Sequence, residues 1–389
     1  MPGYLPTLNG WRAVAILAVM LCHGSASLFA PGGVCPEPRL QAIAYRGAGG
    51  VEVFFGISGL LICSRLLDEC RREGRISLRR FYIRRACRIL PASFAYLGVV
   101  GLIALARPLA IDPGEWWGCV LFVRNYLPDP GHGGWYTGHF WSLAVEEHFY
   151  LLWPALLIAW GVADARRRTF ALALAVAAWG ALDQRERWLS ALLPGTRPLS
   201  RTDVRLDGLL WGCWMALLLA DPARRAWVAR GLAGWRGPAV TALLLAFILA
   251  RLPMEKVAVA FLVPIVLAAT VLNPREALGR LLEWGPLQAI GRISSSLYLW
   301  QQLFFVPGRK LAGAPLGAWQ LWPLNVAAVF ACATLSYLVV ERPMIRLGHL
   351  LTPANRADAG STPPSPHVGV PDRRGAGVSS RGRRRGTRV

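Results

Sequence analysis

The chain has 389 residues, of which 54% are hydrophobic and 17% charged, and a formal net charge of +21. Apolar runs recur too often and run too long for a soluble protein of two domains. The charge does not mark a nucleic-acid binder either, because the basic residues crowd into alternate loops between apolar runs.

Runs near 8–29, 51–67, 90–106, 139–162, 204–220, 238–252, 257–273, 286–306 and 319–340 each approach the ~20 residues that cross a bilayer. A shorter run at 169–182 is the tenth candidate. Strands are disfavoured, because an open sheet edge leaves backbone groups unsatisfied in lipid. The expectation is an all-α polytopic membrane bundle of about ten transmembrane helices. Arg65, Arg71, Arg72, Arg75, Arg79, Arg80, Arg84, Arg85 and Arg88 crowd between the second and third runs. The positive-inside rule puts that loop in the cytoplasm. Ten spans then place Arg166–Arg168, the cluster Arg224, Arg225, Arg230 and Arg236, and the pair Arg275 and Arg280 inside as well. Both termini become cytoplasmic. The outward segment 183–203, with Arg185, Arg187, Arg197 and Arg201, is the exception to this asymmetry.

The first run lacks a basic leader and Arg12 interrupts it, so it reads as a retained span rather than a cleaved signal. The eight cysteines show no metal spacing, and most lie in apolar runs, where they serve as small hydrophobes. Residues 1–346 read as the membrane domain. Residues 347–389 read as a disordered basic cytoplasmic tail, rich in Pro, Ser, Gly and Arg.

Ionisable residues inside such spans are rare and by default functional. Arg12 and His23 are eleven residues apart on the first span, close to three full turns, so they share a face about 16 Å apart along the axis. Arg12 suits a phosphate and His23 can accept a proton. The alternative is that Arg12 snorkels to the interface and His23 bonds a neighbouring helix. In the fourth span His139 and Glu146 are seven residues apart and again share a face, with His139 near the outer mouth. Glu147 and His148 point elsewhere. A buried carboxylate can orient an imidazole, as in acyl-transfer triads; the alternative is an internal salt bridge from Glu146 to an arginine. Arg201, Asp203, Arg205 and Asp207 open the sixth span as a salt network or a site for polar substrate groups. Glu52, near the outer end of the second span, either binds substrate or is wet. The glycines around it permit close helix approach. The arginine loop is a topology signal and also the place where an anionic cytoplasmic donor would dock.

Several stretches together resemble acyltransferase family 3, the integral-membrane O-acyltransferases of sugars and related acceptors. They are Leu5 to Arg12 followed by His23, Gly50 to Gly59, Phe81 to Pro91, His139 to Tyr150, Arg205 to Asp207, Ile293 to Trp300, and Glu341 to Pro343. The resemblance implies His23 as the catalytic histidine with Arg12 as its partner, and Glu146 as the acidic residue of the fourth-span box. It implies supporting or substrate-binding roles for His139, Trp141, Ser142, Glu147, His148, Glu52, Arg205 and Asp207, and donor binding by Arg84, Arg85 and Arg88. Three positions depart from the family pattern. Glu52 stands where Asp is usual, His148 where Gln is usual, and Gln301 where many members have His.

The resulting expectation is an inner-membrane, multi-pass O-acyltransferase with no bound cofactor and no metal. It would move an acyl group, acetyl above all, from cytoplasmic acyl-CoA to a hydroxyl of an extracytoplasmic glycan or glycolipid. His23 would remove the hydroxyl proton and Glu146 would support the imidazole. The alternatives are acylation of a macrolide-type metabolite, or a proton-coupled transporter or flippase using the same buried charges.

Overall fold

A computed structural model describes residues 5–29, 33–107, 109, 111–127, 134–160, 169–173, 175, 176, 192, 200–252, 254–307 and 315–353. Among them the regular structure is helical throughout. The helices are α1 (Pro6–Phe29), α2 (Pro38–Tyr45), α3 (Gly50–Glu73), α4 (Leu78–Ala106), α5 (Pro113–Val120), α6 (Phe140–Ala159), α7 (Thr202–Leu219) and α8 (Pro222–Gly231). They continue with α9 (Arg236–Ala250), α10 (Glu255–Leu272), α11 (Ala277–Leu282), α12 (Gly285–Arg292), α13 (Ser294–Phe304), α14 (Leu324–Ser336) and α15 (Arg342–Leu350). Local sequence sets several boundaries. Ser77, Asp112 and Asp221 each accept a hydrogen bond from a backbone amide in the first turn of the helix that follows. Gly74 ends α3 in the left-handed conformation, with its amide bonded to the Cys70 carbonyl.

Among the described residues five helical stretches are long and apolar enough to cross a bilayer: Pro6–Phe29, Pro38–Glu73, Leu78–Ala106, Glu255–Leu272 and Leu324–Leu350. The pair α8 and α9, bent by 76°, is a sixth if it counts as one span. This is fewer than the ten expected, and the difference has physical causes. Helix α6 is 20 residues long, but Glu146, Glu147 and His148 sit at its middle. Helix α7 opens with Asp203, Arg205 and Asp207. The run 286–306 is divided at Ile293 into α12 and α13. Residues 177–182 of the tenth candidate, Arg166–Arg168, residues 183–191 and 193–199, and the tail from 354 onward lie outside the described residues. The described residues up to Thr352 belong to one compact unit.

Small residues set the closest crossing. A β-carbon on Gly212 of α7 would lie 2.6 Å from the Gly56 carbonyl oxygen of α3. Gly59 likewise leaves no room for a β-carbon against the Leu209 backbone. The expected close approach at the second-span glycines is thus present, between α3 and α7. Helix α1 is clamped to the other side of the unit: Trp11 Nε1 donates to Thr270 Oγ1 at 3.0 Å, and Gln288 Nε2 donates to the Pro6 carbonyl at 2.8 Å. Helix α13 is buried at every position but Ser295, so its polar side chains face protein rather than lipid.

Candidate active site

Residues one turn apart on a helix share a face, and Ser142, Glu146 and Tyr150 do so on α6. They open into a cavity of about 130 Å³ with Arg12 from α1, Ser58 from α3, Arg85 and Arg88 from α4, Tyr298 from α13, and Glu341. The Glu146 carboxylate is held at both oxygens. Ser58 Oγ donates to Oε1 at 2.9 Å, and the Tyr150 hydroxyl donates to Oε2 at 2.9 Å. The Arg85 guanidinium stacks over the Tyr150 ring, 4.7 Å from its centroid. Glu146 is therefore held by hydroxyls, and the arginines beside it are cavity neighbours rather than the internal salt bridge weighed from sequence. Arg12 is tied to Asn9 Oδ1 at 3.2 Å. Glu147 also lines this cavity, contrary to the expectation that it points away. Adjacent helix positions are only about 100° apart, and the cavity wall is wide enough to take both.

His23 does not line this cavity. Its Nδ1 lies 2.9 Å from Gln301 Oε1, and its ring meets the edge of Trp135 at 5.3 Å. The expected direct pairing of Glu146 with His23 is replaced by an amide partner. The two regions adjoin through α13, because Tyr298 lines the cavity and Gln301 sits about one turn further along. Tyr298 in turn bonds Ser142 Oγ at 2.6 Å and donates to the His139 carbonyl at 3.3 Å.

His139 is not a mouth residue. A short helical turn, Trp135–Gly138, precedes it and directs its ring inward. It packs against Tyr96, Phe140 and Tyr298 at 5.1, 5.0 and 5.7 Å. Among the described residues neither ring nitrogen has a side-chain hydrogen-bond partner. His148 points elsewhere, as expected: its Nδ1 lies 2.6 Å from Thr202 Oγ1, and its ring lies 5.9 Å from Tyr126. Glu52 pairs with Arg205 at 2.6 Å, and Arg205 covers Trp141 at 5.3 Å. In the same helix opening Arg201 pairs with Asp203 at 3.0 Å, and Asp207 accepts from the Gly208 amide at 2.8 Å.

A second cavity, of about 140 Å³, is lined by Arg65, Glu69, Arg80, Arg84 and His349 and shares Arg85 and Arg88 with the first. Arg80 is held by Glu69 and Glu73. Arg84 donates to Thr352 Oγ1 at 2.8 Å and to its carbonyl at 2.7 Å. Of the three arginines assigned to a donor, Arg84 is thus occupied by the protein itself. Among the described residues, Arg65 and Arg88 have no ion-pair or hydrogen-bond partner in the protein. Arg65 received no site role from sequence, nor did Ser58, Tyr150, Tyr298, Glu341 or Gln301. Tyr150 was findable from its one-turn spacing to Glu146. Glu341 was not, because a π-helical turn, Tyr337–Glu341, re-aims it toward the Ser296 and Ser336 hydroxyls. Such turns recur at functional sites.

The family described as "Acyltransferase domain" matches residues 5–341. The chain is 28% identical over 379 residues to the peptidoglycan O-acetyltransferase OatA of Listeria monocytogenes, covering 89% of this chain and 57% of that protein. It is 29% identical over 374 residues to the putative peptidoglycan O-acetyltransferase YrhL of Bacillus subtilis, covering 88% and 55%. It is 28% identical over 376 residues to O-acetyltransferase OatA of Staphylococcus aureus, covering 89% and 58%. The chain therefore spans little more than half the length of these relatives. No solved structure matches it.

Proposed function

The chain belongs to the acyltransferase family, and on that premise we propose that it is an inner-membrane O-acetyltransferase acting on an extracytoplasmic glycan of the cell wall. The acetyl donor is acetyl-CoA, taken from the cytoplasm. The observation that carries this reading is a pair of cavities sharing Arg85 and Arg88, with further cations at Arg65 and Arg12 and a held carboxylate, Glu146, at the inner end. Arginines without protein partners inside an apolar bundle are costly and become favourable when a polyanion neutralises them. A nucleotide thioester supplies phosphates for Arg65 and Arg88 and a narrow arm for the cavity beyond them.

The full topology is ten spans with both termini in the cytoplasm. Helix α6 is counted as a span because Leu151, Leu152 and Leu156 are exposed beside the face that carries Glu146. The α4 arginines then face the cytoplasm and His23 the outer half. An acceptor hydroxyl arriving from outside meets His23, whose Nε2 takes the proton as the oxygen attacks the thioester carbonyl. The carbon–sulfur bond breaks, the thiolate leaves inward, and the histidine proton is returned to solvent or to the thiolate. General-base assistance of this kind contributes about 10²–10⁴-fold. Glu146, fixed by Ser58 and Tyr150, supports the inner half of the site electrostatically.

The test uses purified protein in proteoliposomes with acetyl-CoA and a peptidoglycan fragment. The proposal calls for free CoA thiol released in step with O-acetylation of the glycan. Movement of a glycan precursor across the membrane without thioester consumption would instead establish the flippase alternative.

A further inference from the structure

His23 has one hydrogen-bond partner among the described residues, and it is not a carboxylate. Gln301 Oε1 lies 2.9 Å from Nδ1, on a side chain that is fully buried. An amide oxygen can only accept, so with Oε1 turned to the ring it is Nδ1 that carries the proton. A neutral imidazole with its proton on Nδ1 leaves a lone pair on Nε2. The ring is further fixed by the edge of Trp135 at 5.3 Å, and the Trp135 Nε1 donates to the Gln302 carbonyl at 2.9 Å. Residues 301 and 302 of α13 thus hold the imidazole and its aromatic neighbour together. His23 itself is only partly buried. Among the described residues the other end of the Gln301 amide, Nε2, is buried without a partner, a donor left open beside the imidazole.

We infer that Gln301 is the positioning residue for the His23 base: it locks the imidazole in the tautomer that presents an unprotonated Nε2 to the acceptor hydroxyl. The inference rests on the reading of His23 as the general base. A neutral amide performs the orienting part of a triad carboxylate's role.

The tautomer is read directly from nitrogen chemical shifts and one-bond N–H couplings of ¹⁵N-histidine-labelled full-length protein in nanodiscs, with His23→Ala assigning the signal. The expected result is a proton on Nδ1 of His23. Gln301→Met keeps length and removes the acceptor. It should lose the fixed tautomer and lower kcat by roughly 10²-fold, while leaving the KM for acetyl-CoA unchanged. Gln301→Glu restores an acceptor and should recover both the Nδ1–H signal and most of the rate. A proton found on Nε2 in the parent would overturn the inference. So would a Gln301→Met protein that is folded by its thermal transition and turns over at the parental kcat. If His23→Ala keeps parental activity, the base reading itself falls, whatever the tautomer; if His23→Ala is inactive and Gln301→Met is not impaired, only the role of Gln301 falls.

Discussion

Replacing Arg88 or Arg84 by alanine separates a donor-binding arginine from a structural one on the same helix. The two residues are one turn apart, and a topology signal alone would treat them alike. Arg88 lines both cavities and, among the described residues, makes no hydrogen bond or close ion pair within the protein. Arg84 spends its guanidinium on the Thr352 hydroxyl and carbonyl at 2.8 and 2.7 Å. A charge-assisted hydrogen bond to a phosphate contributes about 1.5–3 kcal/mol. Arg88→Ala should therefore raise the KM for acetyl-CoA by roughly 10- to 150-fold. Because that contact is the same in the ground and transition states, kcat should change little. Arg84→Ala should instead lower the thermal transition, by the loss of about 1–3 kcal/mol from the Thr352 contacts, with KM within a few-fold of the parent. Initial rates of CoA-thiol release across a range of acetyl-CoA concentrations, together with thermal melts of the purified protein, give both quantities. An Arg84→Ala protein with the larger KM defect would refute the assignment of the two arginines.

Three further outcomes follow from the geometry. His139→Phe fills a site already walled by Tyr96, Phe140 and Tyr298 and should keep activity within a few-fold, whereas His23→Ala should abolish it; loss of activity in a folded His139→Phe would return His139 to the chemistry. Glu146→Gln keeps the shape of the side chain but exchanges an acceptor oxygen for a donor against the Ser58 or Tyr150 hydroxyl, so transfer should fall by at least about tenfold in CoA-release assays, and a parental rate would remove the carboxylate from the account. Gly212→Val places a β-carbon 2.6 Å from the Gly56 carbonyl and should cost about 1–3 kcal/mol as overpacking, seen as a lowered thermal transition; an unchanged transition would mean that the α3–α7 crossing is looser than the structure has it.

Much of the site was legible because membrane chemistry makes ionisable residues conspicuous. Arg12, His23 and Glu146 stood out against apolar surroundings, and helical spacing explains why Ser142, Glu146 and Tyr150 open on one wall. The partners were not legible. Gln301 is 278 residues from His23, and Ser58 is 88 residues from Glu146; no local pattern links either pair. Glu147 carries a supporting role by resemblance, but helical spacing read as a narrow face does not place it on the wall it shares with Glu146. Arg84, Arg85 and Arg88 look equivalent in a basic run, and only packing tells them apart: Arg84 binds Thr352 and Arg85 stacks on Tyr150. The spans that carry the site are the ones that fail a simple length-and-apolarity test, because α6 and α7 hold charges and α13 is an 11-residue helix separated from α12 at Ile293. Those same features keep these helices from resembling simple lipid-facing spans.

The two-sided route is tested most directly in sealed vesicles of known orientation, with radiolabelled acetyl-CoA confined to the cytoplasmic face and the glycan acceptor to the other. Label should reach the glycan with parental protein and should fail to do so with His23→Ala, with CoA remaining on the donor side. Label that transfers only when donor and acceptor share the outer face would contradict a path running from the α4 arginines to His23.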